Sequence, residues 1–247
     1  MKKVFTIFLS VFWVYFFIAV VLKNYRIWIR ESDSFNVRDI TVEGNDIILE
    51  KEIQKLAKIK KGCSIWSVDL AGAEERIRKN PFIDQVRVIR RYPDDVAIEI
   101  IERRPFVLLK TGGRFYTLDR ENTLLPALPG KCYTLPILSC PIPGKIKIGS
   151  PVLGPQIQAG MKFLLQVHSD RPGLYAKISE IDPGGNDGLI LYTNQGGIPV
   201  RIGQDGHEWK IRYLEAILQE MENNPSLLNA DYIDLRFKGQ VFVGFGA

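Results

Sequence analysis

The sequence predicts an α+β protein in three parts: an N-terminal transmembrane helix, a small β-α-α-β-β unit, and a β-rich unit with two helices packed on a mostly antiparallel sheet. Three observations lead there. Residues 4–22, VFTIFLSVFWVYFFIAVVL, carry no charge. Residues 35–104 switch between alternating and helical apolar spacing. From residue 105 onward, short apolar runs are separated by glycine and proline turns.

At about 1.5 Å per residue, the apolar run is long enough to cross roughly 30 Å of hydrocarbon. A cleaved signal peptide is the competing reading, but the run exceeds the usual apolar core and no small-x-small site follows Leu22. Residues 1–3 then lie on one side of the membrane and residues 23–34 form a polar juxtamembrane linker. Lys2 and Lys3 are balanced by Lys23, Arg26 and Arg30, so charge leaves the orientation open.

FNVRDITVEGN, from Phe35, alternates Val37, Ile40 and Val42 with polar neighbours and reads as a strand ending in a Gly44-Asn45 turn. Ile53, Leu56, Ala57 and Lys60 have helical spacing through Gly62. Asp69 caps a second helix with Leu70, Ala73 and Ile77 on one face, closed before Pro81. Strands follow at 83–90 and 96–103, joined by the RYPDD turn.

In the second unit, FVLLKTGG and RFYTLDREN read as strands and turns, and a proline-rich crossing runs from Leu125 to Pro155. Ile157, Met161, Leu164, Leu165 and His168 share a helical face that stops before Arg171-Pro172-Gly173. KISEID, LILYTN and GGIPVRIG are strands. Asp205 with Glu208 resembles a capping box for a helix carrying Leu214, Ile217, Leu218 and Met221, and Asn223-Asn224-Pro225 ends it. YIDLRFKGQVFVGF, residues 232–245, is a closing hairpin.

A net charge of +5 across 247 residues does not separate nucleic acid, anionic lipid and acidic partners. Most of Lys51, Lys55, Lys58, Lys60, Lys61, Arg76, Arg78 and Lys79 read as solvated helix faces, with lipid headgroups the sharper alternative. Catalytic and metal signatures are absent. His168 sits late on a helix, where it suits the negative terminus, and His207 in HEWKI lacks the second histidine of a zincin. No GxSxG, SxxK, GxxxxGK[ST] or GxGxxG occurs. DPGGNDG at 182–188 is a turn, because a calcium loop would place glutamate where Thr193 stands. Asp231 and Asp234 point to opposite faces of a strand and make no acid-base pair. Cys63 reads as a small buried hydrophobe, while Cys132 and Cys140 are either ordinary thiols or a short bridge. No enzyme chemistry and no cofactor are expected, and a membrane-tethered envelope hydrolase or peptidase is the rival class. A periplasmic chaperone is a further alternative.

Residues 80–106, NPFIDQVRVIRRYPDDVAIEIIERRPF, resemble the end of the POTRA domain of the FtsQ/DivIB cell-division family. The matching pieces are Asn80-Pro81-Phe82-Ile83, then Arg90 with Tyr92-Pro93, then Glu102-Arg103 with Pro105. FYTLDRENTLLP, KISEID, VRIG and YIDLRFKGQVFVGF resemble its following β domain in order. The resemblance implies a POTRA domain at 35–104 and an FtsQ-type β domain at 105–247. It also implies a cytoplasmic N-terminus with both domains outside the inner membrane, and a scaffold of the division machinery at the septum that serves cell-wall synthesis. It departs from the family in its short segment before the span and in ending at Ala247 without a long tail.

An uncharged strand, VFVGF, at a sheet margin offers free main-chain groups to a partner. The resemblance implies that this partner is an FtsB/FtsL-like coiled-coil pair, contacted by Tyr232, Arg236, Phe237, Gly239, Val241, Phe242, Val243, Gly244 and Phe245. A second, POTRA contact is expected at Arg90, Arg91, Tyr92 and Pro93 and along the strand that follows, as an edge. Gly244 is expected to permit close backbone approach.

Overall fold

Helix α1, Lys2–Glu31, opens a computed structural model that describes residues 2–128, 130–142, 144, 147–184, 188–204 and 207–246. Side chains are described for all of these except residues 2–11, 26, 27, 29–31 and 207. Among the described residues, no helix is long and apolar enough to cross a membrane. The expected span falls partly on residues 4–11, whose side chains lie outside the described set. The expected linker is helical for most of its length: α1 continues through Glu31, since KNYRIWIRE contains neither proline nor glycine to stop it. A 3₁₀ turn at Asp33–Phe35 follows.

The chain divides into two compact units, Met1–Glu102 and Arg103–Ala247. After α1, the first contains β1 (Asp39–Glu43), α2 (Glu50–Ala57), α3 (Leu70–Arg78), β2 (Ile83–Arg91) and β3 (Asp95–Glu102). Its sheet has the order β1-β3-β2, with β1 parallel and β2 antiparallel to β3. Ile40, Val86, Val88, Val96, Ile98 and Ile100 are buried on the strands, and Ile53, Ala57, Ala73 and Ile77 on the helices. Each such valine or isoleucine contributes about 1.5–3 kcal/mol by burial.

Helix α2 stops at Ala57, short of Gly62, because Lys58 turns left-handed at φ 54°. Asp69 caps α3 as expected, accepting from the Gly72 N–H at 3.0 Å. The Glu102 carboxylate accepts the N–H groups of Asp46, Ile47 and Ile48 at 3.0, 2.6 and 2.9 Å, pinning the loop before α2 to the end of β3. Gly44 lies under the same strand at φ 89°, where a Cβ would come within 2.1 Å of the Ile100 carbonyl oxygen.

The second unit contains β4 (Val107–Thr111), β5 (Arg114–Leu118), β6 (Leu124–Pro126), β7 (Ile137–Ser139), α4 (Pro155–Asp170) and α5 (Pro172–Tyr175). Next come β8 (Ile178–Asp182), β9 (Leu189–Thr193), β10 (Pro199–Gly203), α6 (His207–Asn223), β11 (Tyr232–Asp234) and β12 (Phe242–Gly244). Its nine-stranded sheet has the order β12-β11-β10-β9-β8-β7-β4-β5-β6. The pairs β4·β7, β7·β8 and β10·β11 are parallel and the others antiparallel. Two of the parallel pairs are those that a helix bridges, α4 between β7 and β8 and α6 between β10 and β11.

One core joins Ile157, Met161, Leu164 and Val167 of α4 with Ile211, Leu214, Leu218 and Met221 of α6 and with Leu109, Leu138, Ile181, Leu191, Val200 and Ile233 of the sheet. The three cysteines are free thiols. Cys63 is only half-buried, contrary to expectation, because its Sγ turns outward to donate to the Lys60 carbonyl at 3.0 Å. Cys140 is buried, which pushes its thiol pKa up. Asp205 and the His207 side chain lie outside the described residues, as do residues 185–187 of the 182–188 turn.

Candidate partner-binding edge

Among the described residues the two sheets have four outer margins, and three receive at least one hydrogen bond from the protein's own groups. On β1 the Ile40 carbonyl accepts from Gln54 Nε2 at 2.7 Å, and Gln54 is itself braced by Glu50 one turn earlier on α2. On β2 the Val88 N–H donates to the Glu74 carboxylate of α3 at 2.8 Å. On β6 the main chain of residues 149–151 fills the rim: Leu124 N–H donates to the Ser150 carbonyl at 3.0 Å and Gly149 N–H to the Leu124 carbonyl at 2.7 Å. These are the usual ways in which a fold blunts an exposed strand.

The fourth margin, β12, differs. It pairs with β11 through Tyr232↔Gly244, Ile233↔Val243 and Asp234↔Phe242. The Asp231 N–H also donates to the Gly244 carbonyl at 2.8 Å. Among the described residues, no element other than the β11 segment and the hairpin turn donates to or accepts from residues 241–245. Ile233 and the half-buried Val243 face the core. Phe237, Phe242 and Phe245 are 53%, 47% and 54% exposed, in an edge-on arrangement at 5.5 Å for Phe237 and Phe242. Exposed aromatic rings beside a bare strand are an unusual surface for a protein to leave to water.

The ribbon is held from one face. Arg201 lies over the Tyr232 ring at 4.6 Å, and that ring covers Gly244. A Cβ on Gly244 would fall 2.2 Å from Tyr232 Cε1, so the glycine seats the protein's own ring rather than freeing space for a partner's backbone. Asp234 is buried and receives Arg236 at 2.7–3.1 Å, with Arg201 at 3.9 Å. Burial alone would raise the Asp234 pKa, but the hydrogen bonds and charge of Arg236, helped by Arg201, outweigh it and hold the carboxyl below its ordinary value. Arg236 therefore spends its guanidinium on the fold and also lies 5.8 Å over the Phe237 ring. Gly239 makes the turn at φ 83°, where Gln240 N–H donates to the Phe237 carbonyl at 3.2 Å. Val241 completes the exposed approach to β12.

The residues of the second expected contact are separated in role. Arg90 donates to the carbonyls of Ile65, Trp66 and Val68, clamping a 3₁₀ turn. Arg91 bonds Glu43 at 2.6 Å on the open face of the sheet. Tyr92 and Pro93 are exposed, with the Tyr92 ring 4.9 Å from Trp66. The strand after them, expected as an edge, is β3, and it lies in the middle of its sheet because β1 pairs with it in parallel. Gln54, Glu74 and Arg201 were not legible as determinants, since their partners are set by tertiary placement.

Nothing here assembles a reaction centre from the described residues. Among the described residues, no group of three or more His, Cys, Asp or Glu could hold a metal. His168 packs edge-on against Phe106 and Tyr175, with Arg120 within 3.3 Å. Fold and site together define the class: an α+β protein of two modules whose distinctive surface is a sheet margin.

Comparison with known proteins gives the family. Residues 35–103 match the model described as POTRA domain, FtsQ-type, and residues 107–236 match Cell division protein FtsQ/DivIB, C-terminal. Cell division protein FtsQ of Syntrophotalea carbinolica is 31% identical over 217 residues, covering 87% of this chain and 76% of that protein. FtsQ of Geobacter sp. strain M21 is 26% identical over 196 residues, 79% of this chain and 71% of the relative. DivIB of Clostridium acetobutylicum is 31% identical over 91 residues, 37% of this chain and 36% of its own. The chain belongs to the FtsQ/DivIB family of cell division proteins. The C-terminal match stops at Arg236, so β12 lies beyond it.

Proposed function

We propose that this protein is a single-pass scaffold of the division machinery that receives an FtsB/FtsL-like coiled-coil pair at β12 by strand addition and performs no chemistry itself. α1 anchors it in the inner membrane with the N-terminus in the cytoplasm and both modules outside, at the septum, where the captured partners link it to wall synthesis. The uncharged run at 4–22 within a helix of 30 residues supports the anchor. The carrying observation for docking is the contrast among margins: among the described residues β1, β2 and β6 each receive at least one hydrogen bond from outside their sheet, whereas the outer side of β12 receives none and is flanked by exposed Phe237, Phe242 and Phe245. Main-chain bonds to that rim supply affinity and the aromatic rings supply choice. A second protein contact at the Arg90–Pro93 turn rests on the exposed Tyr92 ring beside Trp66.

Phe242→Lys in the full chain tests the docking. Co-purification of the coiled-coil pair is expected to fall while the thermal unfolding of the protein holds; full recovery of the pair with the folded variant rejects the site. Depletion tests the role in division, with filamentous or enlarged undivided cells expected and normal septation contradicting it. For the second contact, Tyr92→Ala is expected to reduce septal recruitment of a partner, and unchanged recruitment removes it.

A further inference from the structure

We propose that Tyr25 and Trp28 form an aromatic clamp in the outer headgroup layer of the phospholipid bilayer, fixing the depth of α1 and the height at which the POTRA module stands. The inference rests on the anchoring role proposed for α1. Three observations carry it. The first is length: thirty helical residues extend about 45 Å at 1.5 Å each, which matches the roughly 40–45 Å of a bilayer with its headgroups rather than the hydrocarbon alone. The second is position. Tyr25 and Trp28 lie about 4.5 and 9 Å along the helix beyond Leu22, the end of the uncharged run, on a helix that continues without interruption.

The third is chemistry and geometry. The two rings stack at i and i+3, with centroids 6.2 Å apart and planes 24° from parallel, and both are exposed to the surroundings of the helix. Tyr and Trp combine an apolar ring with a hydrogen-bonding tip and favour the layer where hydrocarbon meets headgroup. Lys23 in the same stretch supplies a cation for lipid phosphates. A membrane protein's helix of this length would otherwise be free to slide or tilt against the bilayer, and interfacial rings remove that freedom. The helical continuity of residues 23–31, in place of a flexible linker, passes the fixed depth on to the start of the folded module.

The test uses the full chain in vesicles of phosphatidylethanolamine and phosphatidylglycerol carrying nitroxide quenchers either near the headgroup or at the chain end. The parent is compared with Trp28→Phe and Trp13→Phe, surface substitutions on α1 that leave Trp66 and Trp209 in place. Shallow quenching is expected to drop by at least about half in Trp28→Phe, and deep quenching to drop in Trp13→Phe. Shallow quenching unchanged in Trp28→Phe, with deep quenching lost in Trp13→Phe, overturns the clamp and leaves the anchor standing. Deep quenching lost in Trp28→Phe also overturns it, by placing the ring in hydrocarbon. Absence of quenching in the parent overturns the anchor and the clamp together.

Discussion

The POTRA sheet and the terminal ribbon face the same physical problem and solve it in opposite ways. A strand at a margin carries N–H and C=O groups that must be bonded to protein, to water or to a partner. In the POTRA module the helices lend side chains to the task, Gln54 to β1 and Glu74 to β2. In the second module β6 is covered by its own main chain, while β12 has no such cover among the described residues. The β12 region carries three exposed phenylalanines where natural edges usually carry charge. The difference is that a helix side chain bonds each POTRA margin, an amide at β1 and a carboxylate at β2, whereas no such group reaches the outer side of β12 among the described residues.

The comparison can be broken first at β12 itself. Phe242→Lys puts a cation on the bare rim and is expected to weaken partner retention at least about tenfold, or about 1.4 kcal/mol, measured by titration of the coiled-coil pair onto the purified protein. Gly244→Val should cost about 1–3 kcal/mol of stability in chemical denaturation by overpacking, because its side chain must displace the Tyr232 ring. Adding Tyr232→Ala should recover much of that loss, and a purely additive double variant would show that the ring is not the obstacle.

A third experiment removes a cap. Glu74→Ala leaves the Val88 N–H without its acceptor and is expected to destabilise by about 1–3 kcal/mol and to promote concentration-dependent association, read by sedimentation. A variant with an unchanged association state and equal stability would mean that water closes the β2 margin as well as the carboxylate does. The smallest effect concerns acid. Asp234 is held below its ordinary pKa, so its contribution is fully present above an unfolded-state value of about 4 and is lost as pH falls through the lower folded value. With Arg236 partly exposed, the acid-side loss should be about 1 kcal/mol or less, and Arg236→Ala should abolish it in melting curves taken from pH 7 to 3.

Much of this fold is legible in the residues, and the reasons for the gaps are physical. Alternation at 83–90 and 96–103 and the Asp69 cap are local signals, and the corresponding strands and α3 form where these place them. Gly112-Gly113 likewise turns β4 into β5. Helix α2 is shorter than its spacing implies because Lys58 adopts a left-handed backbone that no residue pattern announces. The central position of β3 depends on β1 crossing two helices to pair with it in parallel, a topological choice that period-two spacing does not encode. At the site, the uncharged VFVGF run reveals an edge, and β12 is indeed last in its sheet. The reason for Gly244 emerges only from register, which sets it opposite Tyr232. Gln54 and Glu74 read as ordinary surface residues until the helices lay them against the strands.

Amide hydrogen exchange at the rim of β12, that is, of those amides within residues 241–245 that point away from β11, measured with and without the coiled-coil pair, tests the open margin most directly. The rim amides are expected to exchange rapidly in the free protein and to slow at least about tenfold, or about 1.4 kcal/mol, when the partner strand is added, with the POTRA margins unchanged. Protection of the same amides in the free protein, or exchange that the bound pair leaves unaltered, would contradict strand addition at β12.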